Sequence, residues 1–201
     1  MDPRRNILRE AALRTLLSFF SSLAIGLIRF GTVVFETSHW SFQLVIYGFV
    51  YGLFLAIWRT NHRNALAFLI MYFFAESAFL TGALAEARVL MVLLYFVLSA
   101  GALIWYERLF LRSARRSVAR DAIGLAVMLG LAYTLAALVS LAGLNLLTDY
   151  DVEVAANLMG AGTIGFLVGL GVGLGHSLAD LPAVRRLLIE ALAPPRDSPR
   201  S

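Results

Sequence analysis

The chain has 201 residues, of which 60% are hydrophobic and 15% charged, against roughly 25% charged in an ordinary soluble domain. That balance excludes a conventional water-exposed surface and leaves a lipid-embedded fold. The net charge is +4, but nearly all of the seventeen basic residues, every one an Arg, flank apolar stretches, so membrane topology accounts for them and no nucleic-acid partner is expected.

Residues 2–14 mix Arg with Leu, Ile and Ala at helical spacing, the pattern of a short helix on the cytoplasmic membrane surface. Six apolar stretches follow, at 15–35, 42–58, 65–85, 89–106, 122–147 and 154–179, each near the roughly 20 residues that cross a bilayer. Residues 182–193 repeat the Arg-plus-apolar pattern as a second interfacial helix, ahead of a short polar tail expected to be disordered. The expected fold is therefore all-α: a polytopic membrane protein whose six-helix domain occupies residues 1–181, with 182–201 as interfacial helix and tail. No cleavage site follows the first apolar run, so that run is expected to remain as a span.

Fifteen Arg residues fall at the termini and even-numbered connections, whereas the opposite loops carry only Arg88. By the positive-inside rule both termini face the cytoplasm, across what is then a cell inner membrane.

Within the spans, two charges lie away from any expected membrane edge: Arg29 and Glu76. A charge in hydrocarbon costs a few kcal/mol unless paired or hydrated. Ser18, Ser22, Arg29, Thr32, Glu36 and His39 share one helical face in this reading, a stripe that lipid would not tolerate. Estimated depths of Arg29 and Glu76 differ by roughly 4–5 Å, so an ion pair between spans one and three is geometrically possible. Two readings follow, a structural clamp or the centre of a solute or ion path lined by Arg29, Glu76, Thr32, Glu36 and His39.

Span six carries seven glycines between Gly160 and Gly175. Gly160 to Gly165 spells G-x-G-x-x-G, but an acidic loop precedes it and an apolar run follows, so it lacks the strand and amphipathic helix of a dinucleotide site. Close helix packing explains the glycines better. Gly162, Gly165, Gly169 and Gly173 suggest one groove and Gly171 with Gly175 another, two grooves for two neighbours, one of them span five and the other a second subunit, so that a homo-oligomer or a membrane-protein partner is expected. His176 and Asp180, four residues apart, form a His–carboxylate pair able to relay a proton or hold a metal, the other reading being a structural or interfacial His.

No catalytic motif is present, the three histidines do not suit a metal or haem site, and without Cys no thiolate or disulfide can form. Neither a cofactor nor a metal is expected. The leading expectation is a membrane protein that moves a small solute or ion; the alternative is a non-catalytic accessory or scaffold subunit of a larger membrane complex.

Overall fold

The computed structural model describes residues 3–33, 39–78, 85–111, 117–147 and 154–191. Within these the chain is all-α: α1 (Pro3–Phe30), α2 (Trp40–Trp58), α3 (His62–Ala78), α4 (Ala85–Tyr106), α5 (Val118–Leu147), α6 (Val154–Ala179) and α7 (Pro182–Ala191), with a π turn at Glu107–Leu111 extending α4. Five segments are long and apolar enough to cross a membrane: Ile7–Phe30, Trp40–Trp58, Val89–Leu111, Val118–Ala142 and Asn157–Ala179. The chain is thus a polytopic membrane protein. Along α5, Ile123, Val127, Leu131, Leu135 and Leu138 form an exposed apolar stripe at helical spacing. In water such a stripe would drive aggregation, whereas in a bilayer it is the face that lipid covers.

Differences from the expected spans have local causes. The 2–14 stretch is no separate surface helix; its described residues are the first turns of α1, continuous with the span. The helix then stops at Phe30 rather than at 35, because Gly31 takes φ 74°, the left-handed conformation that ends helices, and its N–H returns to Leu27 O at 2.8 Å. The third expected span, 65–85, is described as far as Ala78, and its remaining residues 79–84 lie outside the described set. At 17 residues, α3 as described falls short of the roughly 20 needed to cross. Residues 192–201, the expected tail, also lie outside the described residues.

Polar side chains set the helix starts. His39 Nδ1 accepts from Ser41 N at α2, Asn61 Oδ1 accepts from the backbone N–H of Arg63 and Asn64 at α3, and Ser117 Oγ accepts from Arg120 N at α5. Each satisfies a donor that the first turn leaves free.

The glycines of α6 determine the packing. A Cβ on Gly165 would lie 2.5 Å from Leu129 O, one on Gly169 2.5 Å from Leu125 O, and one on Gly173 2.7 Å from Ala122 Cα, so α5 runs antiparallel along this face in backbone contact. Gly162 belongs to the same face, against Thr134. The second face is filled from within the chain: Gly171 meets Ser22, Gly175 meets Ser18, and Gly48 and Gly52 of α2 meet the same two serines. The second groove therefore receives α1, not another subunit. Three helices share one seam because hydrogen occupies the side-chain position on two of them and a small hydroxymethyl on the third.

Candidate functional site

Residues thought to line a path are distributed differently. Arg29 lies in the last turn of α1, exposed, with its guanidinium carbon 5.5 Å from the Phe30 ring centroid. There a cation complements the carbonyl end of the helix dipole. Thr32 is exposed beyond the helix end, and Glu36 lies outside the described residues. His39 caps α2, its Nδ1 2.6 Å from Ser41 Oγ. The inner part of the stripe, Ser18 and Ser22, is fully buried in the glycine seam. The continuous polar face dissolves because Gly31 breaks the helix that would have carried it.

Arg29 and Glu76 form no ion pair with each other; Arg14 is bridged to Glu10 and Asp180, and Arg59 to Asp180. Glu76 instead receives the Tyr47 hydroxyl, 2.6 Å from its Oε1, while its Oε2 is buried without a hydrogen-bond partner among the described residues.

Around that carboxyl the bundle collects tyrosines. Tyr47 and Tyr51, one turn apart on α2, are stacked at 5.7 Å. Tyr133 of α5 lies edge-on to Tyr47 at 6.4 Å and to Tyr95 of α4 at 5.1 Å. Tyr72 of α3 packs on Phe96, whose ring also contacts Tyr47 and Tyr51. The hydroxyls of Tyr51 and Tyr133 are 3.2 Å apart. They meet because α2 and α5 run in opposite directions and helical side chains lean toward their own N-termini. Five phenols from four helices thus form one aromatic cluster with Phe96, of which Tyr47 bonds the carboxyl. The sequence did hold a signal for this: amphipathic rings favour membrane edges, yet Tyr51, Tyr72, Tyr95 and Tyr133 all fall near the middle of their spans.

A second polar cluster ties α1, α2 and α6 together at one end of the bundle. Arg14, only 2% exposed, donates to His176 O at 3.1 Å, to Glu10 Oε1 at 2.8 Å and to Asp180 Oδ1. Arg59 Nη1 lies 4.0 Å from Asp180 Oδ2. His176 and Asp180 do not bond each other directly. The imidazole points into the seam, with Nε2 3.1 Å from Gly52 O; a carbonyl only accepts, so Nε2 carries the proton. Arg14, read from sequence as a surface residue, is the link between the two groups expected to form a relay. The glycine set Gly162, Gly165, Gly169 and Gly173 does pack a helix, as described above.

Among the described residues no group of three or more His, Asp or Glu side chains could hold a metal ion. An open apolar groove of about 470 Å³, lined by Thr134, Leu158, Met159, Gly162, Thr163 and Phe166, runs along α5 and α6. No protein family matches the chain, and no curated protein or solved structure matches it either.

Proposed function

We propose that the chain moves a small solute or ion across a cell inner membrane, with Glu76 as its binding group. The observation that carries this reading is the carboxyl itself: one oxygen is held by Tyr47 and the other is buried with no partner among the described residues. A carboxyl in such surroundings is costly as a purely structural element, and intramembrane acids mark ion and solute pathways more often than they mark packing. In this reading Arg29, Thr32, Glu36 and His39 form the mouth of the path near Trp40, the Arg-rich helix ends face the cytoplasm, and six spans place both termini there. His176 and Asp180, with Arg14 between them, close the cytoplasmic end. The bilayer is the main partner, and a second copy or another membrane protein would cover what lipid does not.

Reconstitution into proteoliposomes tests the reading. With gradients of protons, sodium or potassium imposed in turn, flux of at least one is expected, and Glu76→Gln should abolish it while leaving helicity intact. A folded wild-type protein that passes none of them, and binds no small solute, would hand the account to the scaffold reading. That alternative has one observation in its favour, the exposed groove between α5 and α6, which suits a partner helix.

A further inference from the structure

We infer that Glu76 is a proton-binding site, its free oxygen Oε2 taking and releasing the proton while Tyr47 keeps its own and donates to Oε1 throughout. The inference deepens the transport reading, and rests on it for the choice of Glu76 as binding group. Its geometry begins with the carboxyl's surroundings: among the described side chains no salt bridge reaches Glu76, and the ion pairs of Arg14 and Arg59 go to Glu10 and Asp180. Among the described residues the titratable groups that interact with the carboxyl are phenols: Tyr47, which bonds it, Tyr51 also on α2, Tyr72 on α3 itself and Tyr133 on α5.

An unpaired carboxylate in such surroundings has two ways to shed its electrostatic cost, binding a metal cation or binding a proton. Hard metal cations take about six or more oxygen ligands. The described contacts bring Glu76 Oε1, Oε2 and the Tyr47 hydroxyl together, too few for such a shell. A proton needs one oxygen. Oε2 supplies it, and the Tyr47 bond to Oε1 survives the change because a carbonyl-type oxygen accepts a hydrogen bond as a carboxylate oxygen does. Nothing else is consumed: the proton adds to Oε2, the negative charge disappears, and release reverses both.

Access is short on one side. Tyr47 lies two turns in from Trp40, which begins α2, or roughly 10 Å at 1.5 Å per residue. Among the described residues the helix that carries Glu76 packs mainly against α2 and α4, and it exposes Met71 and Phe74. Tyr47 belongs to the stacked pair whose second member, Tyr51, joins Tyr133, so the carboxyl is linked through phenols to two further helices, α2 and α5.

Infrared difference spectroscopy on the full chain in lipid bilayers, between alkaline and acidic media, reads the site directly. A carboxylic-acid C=O band should appear on acidification, vanish in Glu76→Gln, and persist at higher frequency in Tyr47→Phe, where its hydrogen bond is gone. Glu76→Asp should keep a band at a shifted position. Circular dichroism reports which variants fold; should Glu76→Gln not fold, the shift in Tyr47→Phe decides alone. An acid–alkali spectrum that is the same in Glu76→Gln and wild type, or a band unmoved by Tyr47→Phe, would overturn the inference. Sodium or potassium removing the band at fixed pH would assign the site to a metal cation instead. A titrating band without flux in proteoliposomes would remove the transport reading and leave the proton site standing.

Discussion

Arg14 joins α1 to α6 through a single guanidinium, and its near-complete burial makes the arrangement expensive to break. Removing one partner of a buried ion pair leaves the other charge stranded, at about 3–5 kcal/mol. Asp180 keeps Arg59 nearby and is 22% exposed at its side chain, which argues for the lower end. Arg14→Leu should therefore lower unfolding stability in detergent by roughly 3 kcal/mol, and adding Asp180→Leu should recover part of it; a double mutant no better than the single would show that the pair is not what holds the helices. Glu76 was legible from its position in mid-span, but its partner was not. The depth match with Arg29 assumed a span reaching residue 35, and Gly31 ends the helix before that. Tyr47 escaped notice because a phenol in an apolar run reads as one more aromatic ring.

The glycines of α6 are the feature most legible in the sequence, since spacing of three and four residues fixes which of them share a face. Their occupants were only half legible, because which helix fills a groove depends on contacts far apart in the chain: α5, the next neighbour, was readable and α1 was not. The seam has a sharp consequence for substitution. At Gly175 even a methyl group would overlap the backbone of Ser18, whereas at Gly101 on α4 nothing lies within 4 Å. Gly175→Ala should accordingly destabilise the fold or prevent its assembly. Gly101→Ala should be neutral or stabilising by up to about 1 kcal/mol, the ordinary helix preference for Ala over Gly. Thermal unfolding of the two variants side by side checks this, and equal stability would mean that α1 and α6 do not approach as described.

The bundle gathers the N-terminal part of α1, the C-terminal ends of α2 and α6 and the start of α5 at one end, through Arg14, Asp180, Arg59 and the Gly173–Ala122 contact. On the proposed orientation this end is cytoplasmic. Single cysteines at Thr32 and His62 should then differ, an impermeant thiol reagent added to intact cells labelling the first and not the second; the reverse pattern would invert the topology. The all-α class and the presence of several long apolar helices were recoverable from hydropathy alone, because the requirement to satisfy every backbone group in lipid leaves few alternatives. The aromatic interior was not, since hydropathy records that a ring is apolar and says nothing about which rings meet. The claim on which the functional account rests is that Glu76 belongs to Tyr47 and not to Arg29. Double-mutant cycles measured by unfolding in mixed micelles test it most directly. The Tyr47→Phe and Glu76→Leu pair should be coupled by about 1–3 kcal/mol, as a hydrogen bond to a carboxyl requires, while Arg29→Gln and Glu76→Leu should add within about 0.5 kcal/mol. Coupling in the Arg29 cycle together with additivity in the Tyr47 cycle would contradict the account.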